Sequence, residues 1–183
     1  ILMDNYRSKL LITQYKYQNM IQFTYESEND EEAVENLLDL VFSPTRFNLS
    51  SYSLRIKVPK IRTLCYVVKN SDGSIIGVIR NWPILIGDKK KLSLLMGPIA
   101  VHPTFQGEGL GAYLINQSIK EAKKYGWERA ILIGDINYYK PFGFYQQNKN
   151  KIDFPPPTDP KRILLIELQK NSFKGVTGIV EKF

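Results

Sequence analysis

Gln106-Gly107-Glu108-Gly109-Leu110-Gly111 stands between an apolar run, Leu92 to His102, and an amphipathic stretch that begins near Ala112. Glycines at 107, 109 and 111 let the backbone approach an anion without Cβ atoms in the way, and they permit φ above zero where the turn demands it. Where such a turn opens a helix, unpaired N–H groups meet the positive end of the helix dipole, which is the local chemistry of phosphate binding. The same glycines also suit a tight strand-to-helix connection that holds nothing. Spacing sorts the phosphate motifs. A Walker loop needs Lys and then Ser or Thr after its last glycine, and here Ala112-Tyr113 follow Gly111. The dinucleotide fingerprint G-x-G-x-x-G/A is filled by Gly107, Gly109 and Ala112, with Asp135 as a ribose ligand. It requires the glycines directly after a first parallel strand, whereas His102 to Gln106 intervene and the upstream strands read as antiparallel hairpins.

Other residues capable of chemistry are few. His102, the one histidine, precedes Pro103 in the connection to the glycine turn and reads as structural. Cys65, the one cysteine, lies in an apolar strand with nothing nearby to lower its pKa, and reads as core. One His and one Cys offer no ligand spacing for zinc, so no metal is expected. Lys89-Lys90-Lys91, the densest basic run, follows the turn signal Gly87-Asp88 and reads as a solvated hairpin tip.

The elements that must position the glycine turn follow from periodicity. Ile21 to Tyr25 alternates apolar with polar and reads as a first strand. Asn29 or Asp30 caps a helix with Glu31 and Glu32 in its first turn and an apolar stripe of Val34, Leu37, Leu38, Val41 and Phe42, ending near Pro44. Thr63 to Lys69 and Ile75 to Ile86 read as a hairpin across Ser71-Asp72-Gly73-Ser74, with Pro83 at a bend or edge. Leu92 to His102, apolar on both parities, reads as a central strand, with a bulge or local parting at Gly97-Pro98. A long helix follows the glycines, with Ala112, Ile115, Ile119 and Ala122 inward and Lys120, Glu121, Lys123 and Lys124 in water, stopped by Gly126. Arg129 to Ile133 is a strand, Tyr138 to Phe144 an aromatic turn or short helix, and Arg162 to Gln169 the last strand. This order predicts an α/β chain (α+β by some schemes), a mixed sheet in one layer with helices on its faces.

Length and composition bound the answer. The chain has 183 residues, 43% hydrophobic and 23% charged, which suits one globular domain and excludes a rod or wholesale disorder. No apolar run approaches the roughly 20 residues of a membrane span. The first 25 residues carry Asp4, Arg7, Lys9 and Lys16 and lack an export core, and one cysteine cannot form an internal disulfide, so the cytoplasm is the expected compartment. The formal charge of +7 favours anionic partners. No stripe of basic residues interleaved with aromatics marks a nucleic-acid surface, and no nucleic-acid or membrane partner is expected.

Gln106, Gly109 and Gly111 also fill the pattern Q/R-x-x-G-x-G/A, preceded by Ile99-Ala100-Val101-His102-Pro103. With Asn137-Tyr138-Tyr139-Lys140-Pro141-Phe142-Gly143-Phe144, this resembles the GNAT family, the Gcn5-related N-acetyltransferases, which move an acetyl group from acetyl-CoA to an amine. Gly97-Pro98, Gly134-Asp135 and the tyrosine pair bring it nearest to the YhbS-like bacterial subgroup; the recognisable stretch is 92–144. The resemblance implies the acyl-CoA N-acyltransferase fold with splayed central strands over 1–183, with 1–20 as an N-terminal extension, 92–144 as cofactor and catalytic core and 145–183 as a C-terminal strand region. It implies that backbone N–H groups of Gly107, Glu108, Gly109, Leu110, Gly111 and Ala112 hold the pyrophosphate, with Gln106 shaping the loop. Ile99, Ala100 and Val101 would pair with the pantetheine arm.

By the same resemblance the N–H of Val101, or of Ile99 if the register slips, donates to the thioester oxygen. Tyr139, four residues before Gly143, is the general acid for the departing thiolate, or else a core aromatic beside Tyr138, Phe142 and Phe144. Asn137 would bond the pantetheine or simply serve the turn. Asp135 is the nearest base candidate, or a cap of the turn that follows. Tyr138 and Phe142 close the cofactor site. The implied function is transfer to a primary amine of a small molecule or protein in a ternary complex, with no metal. The alternative is a domain that binds acetyl-CoA without catalysis. Acceptor selection is expected from Phe42 to Lys60 and Phe144 to Pro160, and a homodimer through the segment after Leu168.

Overall fold

The computed structural model describes residues 21–147 and 151–183; the expected N-terminal extension lies outside them. Strands β1 (Gln22–Tyr25), β2 (Tyr66–Lys69), β3 (Ile75–Ile86) and β4 (Lys91–Val101) form an antiparallel run, each paired with the next. Beyond β4 the sheet continues through β5 (Arg129–Ile133) and β8 (Ile163–Glu167) to β6 (Tyr145–Gln146). β4 and β5 are parallel, while the pairs made by β8 are antiparallel. β9 (Gly178–Lys182) pairs with the far end of β3 and with β7 (Ile152–Asp153). The last strand is therefore β9, not the expected Arg162 to Gln169 segment. Of the tail after Leu168, Phe173, Val176 and Val180 are buried in the chain's own core, while Ile179 and Phe183 are exposed.

Helices cover both faces. α1 (Glu31–Phe42) packs Val34, Leu37 and Leu38 on Val67, Val78 and Ala100. The 15-residue α3 (Leu110–Lys124) packs Leu110, Leu114, Ile115 and Ile119 on the opposite face, against alternate residues of β2 to β5 and β8. Two corrections follow. Ile115, Ile119 and Ala122 of the expected α3 stripe are buried, but Leu110, Leu114 and Ser118 join them while Ala112 is half-buried, and Glu121 is buried beside Lys124 instead of facing water. At α1, neither Asn29 nor Asp30 accepts from the first turn. Asp30 turns back and accepts from the backbone N–H and hydroxyl of Ser27, which begins a short 3-10 turn ahead of the helix. A short helix, α2 (Ser50–Ser53), lies in the connection to β2, and α4 (Ile136–Tyr139) follows β5.

Two sequence anomalies have structural causes. Pro83 lies on β3 between the stretch paired with β2 and the stretch paired with β9, so its missing donor faces no neighbour. At Gly97-Pro98 the β3–β4 register slips: Ile79 pairs with Ile99 but Asn81 pairs with Met96, leaving β4 one residue longer, a bulge.

Candidate functional site

The glycine turn is built as its spacing predicts. Gly107 and Gly109 have φ of +82° and +85°, and a Cβ at either would meet nothing within 4 Å. Gly109 caps α3 with no side-chain bond, and Tyr113 is the first residue to return an N–H to it. The N–H groups of Leu110, Gly111 and Ala112 thus stand at an open helix end. The Gln106 side-chain amide donates to the Val101 carbonyl at 3.1 Å and ties the turn to the end of β4. His102 is structural, as expected: its Nδ1 accepts from the Thr104 N–H at 3.3 Å. Cys65 is buried, which pushes its thiol up to about 12.

β4 presents an open edge to this turn. His102 donates to Ile76 at 2.8 Å, and the register pairs Val101 with Gly77, Ala100 with Val78 and Ile99 with Ile79. In an antiparallel ladder, bonded and unbonded pairs alternate, so Val101 and Ile99 direct their N–H groups away from β3. On that side β5 pairs with Leu94 and Leu95, and the two strands part beyond them. The parting of the central strands and the bulge at Gly97-Pro98 occur together.

Two cavities occupy the parting. One, of about 530 Å³, is lined by Ile99, Ala100, Val101, Gln106, Gly107, Gly109, Leu110, Gly111 and Ala112. The other, of about 280 Å³, runs from Met96 to Ile99 across to Leu132, Gly134 and Asp135, with Arg46, Leu49, Tyr52 and Arg55 as its outer wall. Phe42, Ile99, Tyr138 and Tyr139 line both, so the cavities meet there. The Tyr139 ring lies against Gly134, where a Cβ would sit 2.4 Å from it. Burial first, then Tyr138, pushes the Tyr139 phenol above its usual 10 against the opposing charge of Arg162, so it holds its proton at neutral pH. The Tyr138 hydroxyl reaches over Gly111, 2.6 Å from where a Cβ would stand. Asp135 lines the smaller cavity while one carboxylate oxygen accepts from the Asn137 N–H at 2.8 Å, the cap geometry.

Three expected cofactor residues lie outside both linings: Glu108, Asn137 and Phe142. Asn137 contributes its backbone to the cap, and Phe142 packs against Tyr138 with ring centroids 5.9 Å apart. Phe42, Phe105, Arg46, Arg55 and Arg162 are lining residues that sequence reasoning does not single out. The one signal is Phe42, an apolar stripe residue at the end of α1 that remains 41% exposed. Of the two segments expected to select the acceptor, 42–60 supplies the outer wall. The other backs it, since the Thr158 hydroxyl bonds that of Ser50. Among the described residues no helix is long and apolar enough to cross a membrane, and no cluster of His, Cys, Asp and Glu could hold a metal.

Comparison with known proteins agrees with this geometry. Residues 27–144 match the model of the acetyltransferase (GNAT) family. The uncharacterized N-acetyltransferase YhbS of Escherichia coli K12 is 25% identical over 119 residues, which is 65% of this chain and 71% of that protein. The crystal structure of E. coli YhbS in complex with CoA superposes with a TM-score of 0.76 at 23% identity, covering 90% of each chain. A GNAT acetyltransferase from Brucella melitensis in complex with acetyl-CoA gives 0.58 at 25% identity, covering 77% of this chain and 94% of that one. With more than half of its length matched and its sheet parted beside a helix-capping glycine turn, the chain belongs to the GNAT family of acetyltransferases.

Proposed function

We propose that the protein transfers an acetyl group from acetyl-CoA to a primary amine by direct attack in a ternary complex. The observation that carries this reading is the junction of the two cavities at Ile99, Tyr138 and Tyr139, because direct transfer requires donor and acceptor to meet at one point. The larger cavity fits acetyl-CoA: open glycines and uncapped N–H groups suit a pyrophosphate, and the N–H groups of Ile99 and Val101, turned away from β3, suit the carbonyls of pantetheine. CoA and acetyl-CoA complexes of the two structural relatives support the same assignment.

In this reading the N–H of Val101 or Ile99 donates to the carbonyl oxygen as it gains charge. Tyr139, protonated at neutral pH, donates to the leaving sulfur. Asp135, the carboxylate on the acceptor side, receives the proton lost by the attacking nitrogen. Tyr138 packs over Gly111 and closes the donor groove. The stretch 92–144 forms the catalytic core and 42–55 the acceptor wall.

Thermal unfolding with ligands tests the donor, since a ligand at about 100 times its Kd adds roughly 2.7 kcal/mol, or about 5 to 10 °C here. The expected rise occurs with acetyl-CoA and CoA, and not with NAD or ATP. Initial rates of thiol release against both substrates test the transfer: intersecting double-reciprocal lines are expected, and parallel lines would indicate an acyl-enzyme instead. CoA binding without turnover of any amine would replace the transferase by a binding domain.

A further inference from the structure

Arg55 differs from the other inward-facing arginines. Arg46 pairs with Glu35 and Asp39, Arg80 with Glu26, Glu31 and Glu35, and Arg129 with Glu128. Among the described residues Arg55 pairs with no carboxylate. Its guanidinium stacks 4.6 Å from the Tyr52 ring centroid and 4.9 Å from that of Trp82, and its Nη2 donates to the Gly97 carbonyl at 3.1 Å. Its Nε is buried without a partner. Burial lowers it only to about 10, so the group stays charged at neutral pH. Even a half-buried cation without an anion is costly, and its buried Nε donor without an acceptor adds to that cost. Tyr52, Trp82 and Gly97 hold the guanidinium in place regardless, at the wall of the acceptor cavity.

The surroundings select the ligand. Arg162 also lines the cavity and, among the described residues, also lacks an ion pair, whereas Asp135 is the one carboxylate in the lining. The local balance is positive and suits an anion. Gly97, which Arg55 touches, lies on β4 two residues before Ile99, about 7 Å along a strand. Leu49, Met96 and Leu132 give the same cavity an apolar side. At 280 Å³ it lies at the small end of ligand sites, which run from roughly 300 to 1,000 Å³.

Building on the transferase reading above, we propose that the acceptor is a free amino acid: its carboxylate is held by Arg55 beside Gly97, and its amine is directed along β4 to Ile99 and Tyr139. Guanidinium and carboxylate match as a planar fork, which a neutral amine cannot exploit.

The test uses pairs that share a side chain and differ in the carboxylate: L-leucine with 3-methylbutylamine, and L-phenylalanine with 2-phenylethylamine. O-phosphoethanolamine serves as a phosphate-bearing arm. Two readouts are taken on the full chain: kcat/KM by thiol release from acetyl-CoA, and calorimetric titration of each amine into the CoA-loaded protein. The amino acid of at least one pair is expected to exceed its decarboxylated partner tenfold or more in both. Arg55→Met should bring that ratio close to one, and Arg55→Lys should retain part of it, with CoA affinity serving as the check of folding in both variants. Equal or better binding of the decarboxylated amines, a preference that survives Arg55→Met, or stronger binding of O-phosphoethanolamine would overturn the proposal. Because the titration needs no turnover, carboxylate preference without acetyl transfer would sink the transferase reading and leave the pocket assignment standing. Acetyl transfer without carboxylate preference would do the reverse.

Discussion

Tyr139 is placed by packing as much as by chemistry. Its ring lies against Gly134 and meets Phe144 edge-on, with centroids 5.7 Å apart, yet it also forms a wall of both cavities. A methyl at position 134 would approach the ring to 2.4 Å and a Leu132 methyl to 2.9 Å. Gly134→Ala is therefore expected to cost about 1–3 kcal/mol by overpacking and to lower kcat by displacing the phenol, with CoA affinity retained. Denaturant unfolding and steady-state rates would separate the two effects. Tyr139→Phe keeps the packing and removes only the proton, and a fall in kcat of about 10²-fold is expected at unchanged CoA affinity. The pH profile gives an independent check. Burial raises the Tyr139 phenol, so it stays protonated above the usual tyrosine range and contributes no descending limb to kcat below about pH 10. A limb between pH 7 and 9 that vanishes in Tyr139→Phe would contradict this assignment.

At the scale of elements, the α3 N-terminus depends on one residue. Gly109 holds φ of +85° at the cap, a conformation in which a β-branched residue is an outlier. Gly109→Val is expected to cost about 1–2 kcal/mol from backbone strain and to weaken CoA binding by tenfold or more, because the turn must reshape at the proposed phosphate site. Calorimetry with CoA would measure the loss, and unchanged affinity would mean that the phosphates bind elsewhere. This turn is legible in sequence because its constraint is local: positive φ and close approach both demand glycine, and the motif falls between a strand and a helix. The stripes of α1 and α3 and the doubly apolar β4 are legible for the same reason. β9 is not, since its Ile179 is 58% exposed and its Val180 is buried, and only pairing with β3 and β7, distant in the chain, makes it a strand. The outer wall of the smaller cavity is equally hidden. Arg55 reads as one more surface charge until the fold sets it beside Gly97 and Trp82.

At the scale of the molecule, a buried ionic network anchors that wall to the sheet. Arg80, on central β3, binds Glu26 after β1 and both Glu31 and Glu35 of α1. Glu35 also binds Arg46, which in turn reaches Tyr52 at the smaller cavity, the proposed acceptor site. Removing Arg80 would leave the fully buried Glu26 carboxylate with Lys60 as its remaining cation. Breaking a buried pair from one side costs about 3–5 kcal/mol, and the surviving Lys60 contact places Arg80→Met at the low end. Because α1 would loosen together with Phe42 and Arg46, the acceptor KM should rise more than the KM for acetyl-CoA. The network also sets an acid limit. Burial alone would raise the Glu35 carboxyl, but hydrogen bonds from Arg80 and Arg46 outweigh it and hold the group below its ordinary 4.5. Burial of Asp30 is likewise outweighed by Lys69 and Ser27, which hold it below 3.8. A carboxyl depressed in the folded state stabilises it above the unfolded pKa, and that contribution is lost as pH falls through the folded value. Tm should therefore be insensitive to these groups at pH 6 and decline from about pH 4.5 downward. In Arg80→Met one of the two cations on Glu35 is gone, so Tm should start lower and its acid decline should be shallower. Scanning calorimetry of both proteins from pH 3 to 7 would show this, and parallel acid declines would mean that Arg80 does not hold the Glu35 charge.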